Sequence, residues 1–385
     1  MVIEPLRRPA EFQPGCAIAS VQATIVDVPT LRRHRLSSLS VTAQSSVIVE
    51  LQLANGVIGI GEAATLGGPR WSEETVESIK ATIDTYLVPV IIGQRADCFE
   101  LIGKLMDAAA KRNTAAKAAI ETALLDAVGK TFNLSAATLL GGVVRDSIPV
   151  FWTLASGDAS EEIEEAEKKL AGGLHSKFKI KVGVQSAEDD LARVARLAAA
   201  LNGRSQLIVD ANQAWDETMA VRCLPVLEQL GIKLVEQPLP AWNITGMARL
   251  RSRFNVPLMA DESVFSASDM STVAREAAAD VVSLKLVKHG GLFNMRKVAA
   301  VAEAAGIGLY GGCLLESSIG AAAHLQVFAS LRDLQWGCEH FGPQLLVEDL
   351  VTEPLRFADF RIHLPAGPGI GVTVDRAKLQ KFARH

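Results

Sequence analysis

Between residues 23 and 62 apolar and polar positions alternate in the strand manner: Ala23-Thr-Ile-Val-Asp-Val, then Ser46-Val-Ile-Val-Glu-Leu-Gln-Leu, then Val57-Ile-Gly-Ile-Gly. Asn55-Gly56 marks a tight hairpin between the last two runs, so the pattern predicts an antiparallel meander. From residue 72 to about 140 the period becomes helical, with Ser72-Glu-Glu-Thr as a helix start and alanine-rich stretches near Ala108 and Ala115. After residue 148 short β-branched runs alternate with alanine- and leucine-rich helical segments. Eight such runs occur, at 148–154, 178–182, 207–211, 234–237, 258–261, 281–286, 307–311 and 336–340, their starts 23 to 30 residues apart. That interval holds one strand, one helix and two loops, and eight strands close a barrel.

The predicted class is therefore α/β: a (β/α)8-type, modified TIM barrel over 146–350, preceded by an α+β capping domain over 1–145. Further strand-like runs at 357–364 and 370–374 predict that a segment over 351–385 returns to complete the capping domain.

Composition narrows the functional classes. The chain has 385 residues and is 49% hydrophobic, enough for a large core. Forty-three acidic residues against 39 basic ones give a net charge of -4, with no field to draw in nucleic acid or an anionic membrane. Five scattered cysteines, Cys16, Cys98, Cys223, Cys313 and Cys338, fit reduced thiols of the cytoplasm. Pro5, Pro9 and Pro14 break up the first 15 residues, which lack a signal-peptide core, and eighteen apolar residues never run together.

In a barrel of this type the chemistry sits at the carboxyl ends of the strands. There the second run holds Lys179-Ile-Lys181, the third ends at Asp210-Ala-Asn212, the fourth at Glu236-Gln237 and the fifth at Asp261-Glu262; the sixth carries Lys285, and Glu316 follows the seventh. Asp210, Glu236 and Asp261 lie 26 and 25 residues apart, in step with the repeat, so they converge above the barrel. Hard oxygen ligands with an open side suit Mg²⁺ or Mn²⁺. Taken singly, an acidic residue at a strand end is as readily a helix cap.

Lys179 and Lys181 are two apart on a strand, so both point inward. Adjacent cations, with a metal nearby, disfavour each other's protonation and bring an amine down from about 10.4 towards general-base range. Lys285 enters from the far side; its simpler role is a salt bridge to Asp261 or Glu236. Four negative charges, from Asp210, Glu236, Asp261 and Glu316, face five positive ones from three lysines and a divalent metal, which favours an anionic substrate. Lys288 adds another cation.

At these residues the chain resembles the enolase superfamily, and within it the muconate-lactonizing branch. The resemblance implies that Asp210, Glu236 and Asp261 bind one Mn²⁺ or Mg²⁺, that Lys181 is the acid/base, that Lys179 depresses its pKa, and that Lys285 and Glu316 complete the catalytic set. Trp152-Thr-Leu-Ala-Ser-Gly-Asp158, Gly311-Gly-Cys-Leu-Leu-Glu316 and Trp336-Gly-Cys-Glu-His-Phe-Gly-Pro343 look like cycloisomerase sequence. The Asp-x-Asp of dipeptide epimerases is replaced by Cys338-Glu339-His340, against an amino-acid substrate. Cys313 stands where the resemblance expects Thr, and Gly67-Gly-Pro-Arg-Trp71 is closer to chloromuconate relatives. The implied activity is reversible lactonization of a dicarboxylate, cis,cis-muconate, through an enolate. The alternatives are a chloromuconate enzyme, o-succinylbenzoate synthase, an acylamino-acid or dipeptide racemase, or a catalytically silent barrel acting as a binding subunit. The resemblance also implies a homo-oligomer, an octamer. Loops 29–40 and 65–71 would close over the mouth. Asn212, Lys288, Leu66 and Arg70 are candidate substrate contacts, and Arg32, Arg33 and His34 candidate carboxylate clamps.

Overall fold

The computed structural model describes residues 15–37 and 39–384; most of the signal-peptide reading, and Ser38 of the first loop, lie outside them. The meander forms as expected: β1 (Ile18–Arg35), β2 (Ser40–Leu53) and β3 (Ile58–Thr65) make one antiparallel sheet in that order. Gly56, at φ +86°, supplies the left-handed turn that the hairpin needs.

The helix Thr114–Phe132 packs on this sheet and is buried on every face through Gly129. Its alanines allow close approach, and β3 meets them with glycines. A Cβ at Gly59 or Gly61 would stand 2.0 Å from the carbonyl oxygen of Ala123 or Ala119. The expected helix start at Ser72-Glu-Glu-Thr is displaced. The helix Val76–Thr82 begins later, behind a Thr75–Ser78 capping box. Glu74 caps a different helix, accepting the Ala115 N–H at 2.9 Å, because the acceptor is worth more where tertiary packing buries the helix start.

The barrel strands are β5 (Phe151–Leu154), β6 (Lys177–Lys181), β7 (Gln206–Asp210), β8 (Val235–Glu236), β9 (Leu258–Ala260), β10 (Val281–Leu284) and β11 (Gly308–Gly311), hydrogen-bonded in sequence order and parallel. The eighth run shrinks to bridges at Cys338, which pairs with Val150 on one side and Gly311 on the other and so closes the ring. Gly337, at φ +74°, kinks the run and limits it to that bridge. The first run also splits. β4 (Ser147–Pro149) leaves the barrel to pair with β13 (Arg361–His363), itself paired with β12 (Phe357–Ala358). Thus 357–364 joins the first barrel run rather than the cap sheet, and 370–374 contributes only a Val351–Val374 bridge.

Ile370 donates to Asp126, which also accepts from Ile60 of β3, and the Arg384 guanidinium grips Asp27 of β1. Inside the barrel, Phe151, Ile208, Leu234, Met259, Val281 and Tyr310 form a small apolar floor, separate from the main core. This layer is what the polar residues above it stand on.

Candidate active site

Strand register builds the site. Thr153, Lys179 and Ile208 are cross-strand neighbours, as are Lys181 and Asp210, then Asp210 and Glu236. Because alternate residues share a face, Lys179 and Lys181 both point inward over the apolar floor, and Lys179 Nζ lies 4.8 Å from the centre of the Tyr310 ring.

The three expected carboxylates are each occupied by an ammonium group. Lys181 donates to Asp210 Oδ2 at 2.5 Å and to Asn212 Oδ1 at 3.1 Å. Lys179 Nζ lies 2.5 Å from Glu236 Oε2 and 2.5 Å from Glu339 Oε2, ionic contacts without the direction of a hydrogen bond. Lys285 Nζ lies 2.5 Å from Asp261 Oδ2, the salt bridge foreseen as its simpler role. Lys288 spends its three donors on Asp261 Oδ1 and the Asp261 and Ser283 carbonyls, so it braces Asp261 rather than facing the mouth.

The electrostatics follow. Burial, with Asp210 and Asp261 close by, pushes Glu236 up to about 8 although the Lys179 ammonium opposes this. Against its own burial, Asp261 is held well below the usual carboxylate range by Lys285 and Lys288. Burial would lower Lys179, but Glu236 and Glu339 hold it well above the ordinary lysine value. Around Lys179 carboxylates outnumber cations, so its own proton is held rather than loosened.

Buried and crowded oxygens are what a divalent cation neutralises, and neither Glu236 oxygen has a hydrogen-bond partner. The donor set Asp210, Glu236 and Asp261 therefore fits a hard divalent ion. A tighter cluster competes for that role: ligand atoms of Glu316, His324 and His340 lie within 4.8 Å of one another. It is the poorer site. His324 has no free lone pair, since Nε2 accepts the Leu286 N–H and Nδ1 pairs with the Gly320 carbonyl. Glu316 itself stands here, among the histidines.

Two carboxylates escaped assignment from sequence. Glu339 ends the closing run, contacts Lys179 and accepts the Cys313 N–H at 3.1 Å; its place at the end of a counted strand was the available signal. Glu262 accepts from Asn212 at 3.2 Å, and burial beside Asp261 and Asp210 raises it to about 7.

The cap covers this centre. Trp71 lies with its ring 4.4 Å from Lys285 Nζ and packs near Phe265. Leu66 is buried, and Arg70 is exposed. Among the expected clamps, Arg32 is taken by Glu165 at 2.6 Å and by the Thr153 carbonyl, and Arg33 is exposed. His34 is buried against Phe341, with burial and the charges of Arg32, Lys181 and Lys179 keeping it neutral. An open cavity of about 780 Å³ at the opposite end of the barrel, lined by Lys177, Arg204 and Trp336 among others, includes none of these groups.

Residues 161–378 match the enolase C-terminal domain-like family and residues 20–141 the N-terminal domain of mandelate racemase / muconate lactonizing enzymes. The chain is 44% identical to a chloromuconate cycloisomerase of Pseudomonas sp. (strain P51), over 95% of this chain and 99% of that one. It is equally, 44%, identical to muconate cycloisomerase 1 of Pseudomonas putida, over 95% and 98%. A crystal structure of the muconate lactonizing enzyme from Pseudomonas fluorescens with muconolactone superposes with a TM-score of 0.95 at 44% identity, covering 96% of this chain and all of that one. Capping sheet and parallel barrel thus agree with these matches: the chain belongs to the muconate lactonizing enzymes of the enolase superfamily.

Proposed function

We propose that this enzyme is a muconate cycloisomerase, interconverting cis,cis-muconate and muconolactone in aromatic catabolism. The observation that carries the reading is the pairing of Lys181 with Asp210 inside a ring of buried carboxylates. Chlorinated muconates are a second substrate class, favoured by equal identity to relatives named for each. We further infer a cytoplasmic homo-oligomer, an octamer by resemblance, built from a cap (1–145), a barrel (146–350) and a returning segment (351–385). No helix of the described residues is long and apolar enough to cross a membrane.

In the lactonizing direction one substrate carboxylate attacks the double bond conjugated to the other, forming a C–O bond and moving the electron pair onto the second carboxylate as an enolate. Asp210, Glu236 and Asp261 would hold a divalent ion, Mn²⁺ or Mg²⁺, which would supply positive charge to offset the negative charge developing on the second carboxylate. Lys181, as ammonium, delivers a proton to the α-carbon; in reverse its neutral amine removes that proton. Lys179 keeps its proton between Glu236 and Glu339 and adds positive charge below the substrate. Lys285 faces it from the opposite flank, with Trp71 above excluding water. Asn212, bonded to Lys181, orients that amine.

The reading is tested by adding Mn²⁺ and cis,cis-muconate and following the conjugated-diene absorbance. The expected result is loss of absorbance with lactone formation. Metal-replete enzyme that consumes neither muconate nor its chlorinated analogues sinks it.

A further inference from the structure

Behind Lys285, the Glu316, His324 and His340 side chains are buried together, but their hydrogen bonds are unequal. His324 is saturated: its Nε2 accepts the N–H of Leu286, the residue next to Lys285, at 2.9 Å, and its Nδ1 donates to the Gly320 carbonyl at 2.8 Å. Glu316 accepts the Leu314 N–H at Oε2, leaving Oε1 without a partner, and His340 lacks one at both ring nitrogens although it is 1% exposed.

A neutral imidazole offers one N–H, and a carboxylate oxygen accepts one, so each orphan is the complement of the other. Within 4.8 Å the two can bond directly after a small ring rotation or through one water. The ring centre lies 4.3 Å from that of His324 and 5.5 Å from that of Phe328, and the residue is closed off from bulk solvent. The pocket is also anchored from the cap. Glu62 of β3 accepts from Ser317 Oγ at 2.6 Å and from the Gly320 N–H at 2.8 Å, fixing the turn on which Glu316 sits.

We propose that His340 is a positioning residue that holds the free oxygen of Glu316, keeping this carboxylate from pulling the Lys285 ammonium away from Asp261. Burial pushes Glu316 up to about 8 and holds His340 well below the ordinary imidazole value, and the charge of Lys285 acts on both. An unrestrained Glu316 would compete with Asp261 for it. His324 completes the arrangement by pinning the backbone where Lys285 leaves its strand.

The inference uses the proposed reaction only for its kinetic readout. His340→Leu fills the same space without a donor, and the expected result is a ~10-fold fall in kcat with KM within about twofold, a loss confined to the transition state. His340→Gln keeps an N–H and should recover most of that loss, which a purely packing role would not predict. Combined with Glu316→Gln, the kcat losses should not multiply, because residues in one hydrogen-bonded unit are non-additive. Thermal unfolding of the Mn²⁺-loaded protein and its two single and double variants gives the same test without turnover. A double variant whose midpoint loss is smaller than the sum of the singles supports the pair even if muconate is not the substrate. Additive midpoint losses, unchanged kcat in His340→Leu, or a second bound metal per chain that this variant loses would overturn it.

Discussion

On the β6 side of the barrel mouth, Lys179 and Lys181 meet Glu236 and Asp210; on the β10 side, Lys285 and Lys288 meet Asp261. The groups are of the same kind, yet the protonation pressures are opposite. Asp261 has an ammonium on each oxygen and a deep preference for the charged form despite its burial, whereas Glu236, equally buried, with one ammonium and three like-charged neighbours in Asp210, Asp261 and Glu339, is pushed up to about 8. One flank is electrostatically closed without a metal, and the other is left demanding one. Both carboxylates are fully buried, so the difference between them comes from the local balance of charge.

This contrast can be broken most sharply at the proton carrier. Lys181→Ala should lower kcat by about 10³-fold or more, as expected for losing a general acid/base, while calorimetry still finds the divalent ion bound. Activity within tenfold of the parent would remove Lys181 from that role. Next in size is Asp261→Asn, which strands two buried ammonium groups and should cost the metal-free protein about 3 kcal/mol in denaturant unfolding. Glu236→Gln, which relieves repulsion, should cost about 1 kcal/mol or less. Equal losses would show the flanks to be alike after all.

Metal should act mainly through the unsatisfied flank. Mn²⁺ at a hundred times its dissociation constant should stabilise the parent by about 2.7 kcal/mol, and at the same concentration this gain should largely vanish in Glu236→Gln. The smallest effect is expected at the lid. Trp71→Ala removes the ring above Lys285, an interaction of about 1 kcal/mol, so kcat/KM should fall roughly fivefold with metal affinity unchanged.

Much of the site was legible because it obeys local periodicities. Alternation along β6 put Lys179 and Lys181 on one face, and the even spacing of strands put Asp210, Glu236 and Asp261 at the carboxyl ends of three neighbouring strands. What was not legible depends on which distant groups compete for a charge. Arg32 and Lys288 read as free cations, but Glu165 and Asp261, far away in sequence, had already taken them. Glu339 stood in a counted run, but its partner Lys179 lies on a strand at the other end of the barrel sequence, and only ring closure brings the two together.

The sequence by itself determined the barrel, its register and the inward lysine pair, since period-two alternation and repeat length are properties of short segments. Only the tertiary structure decided that Lys179 is held between Glu236 and Glu339, that Glu316 sits with His340, and that Trp71 covers Lys285. Each of these depends on ring closure and on the cap folding over it, which bring together side chains 24 to 214 residues apart, and the electrostatic energy falls off with a distance that chain order does not encode.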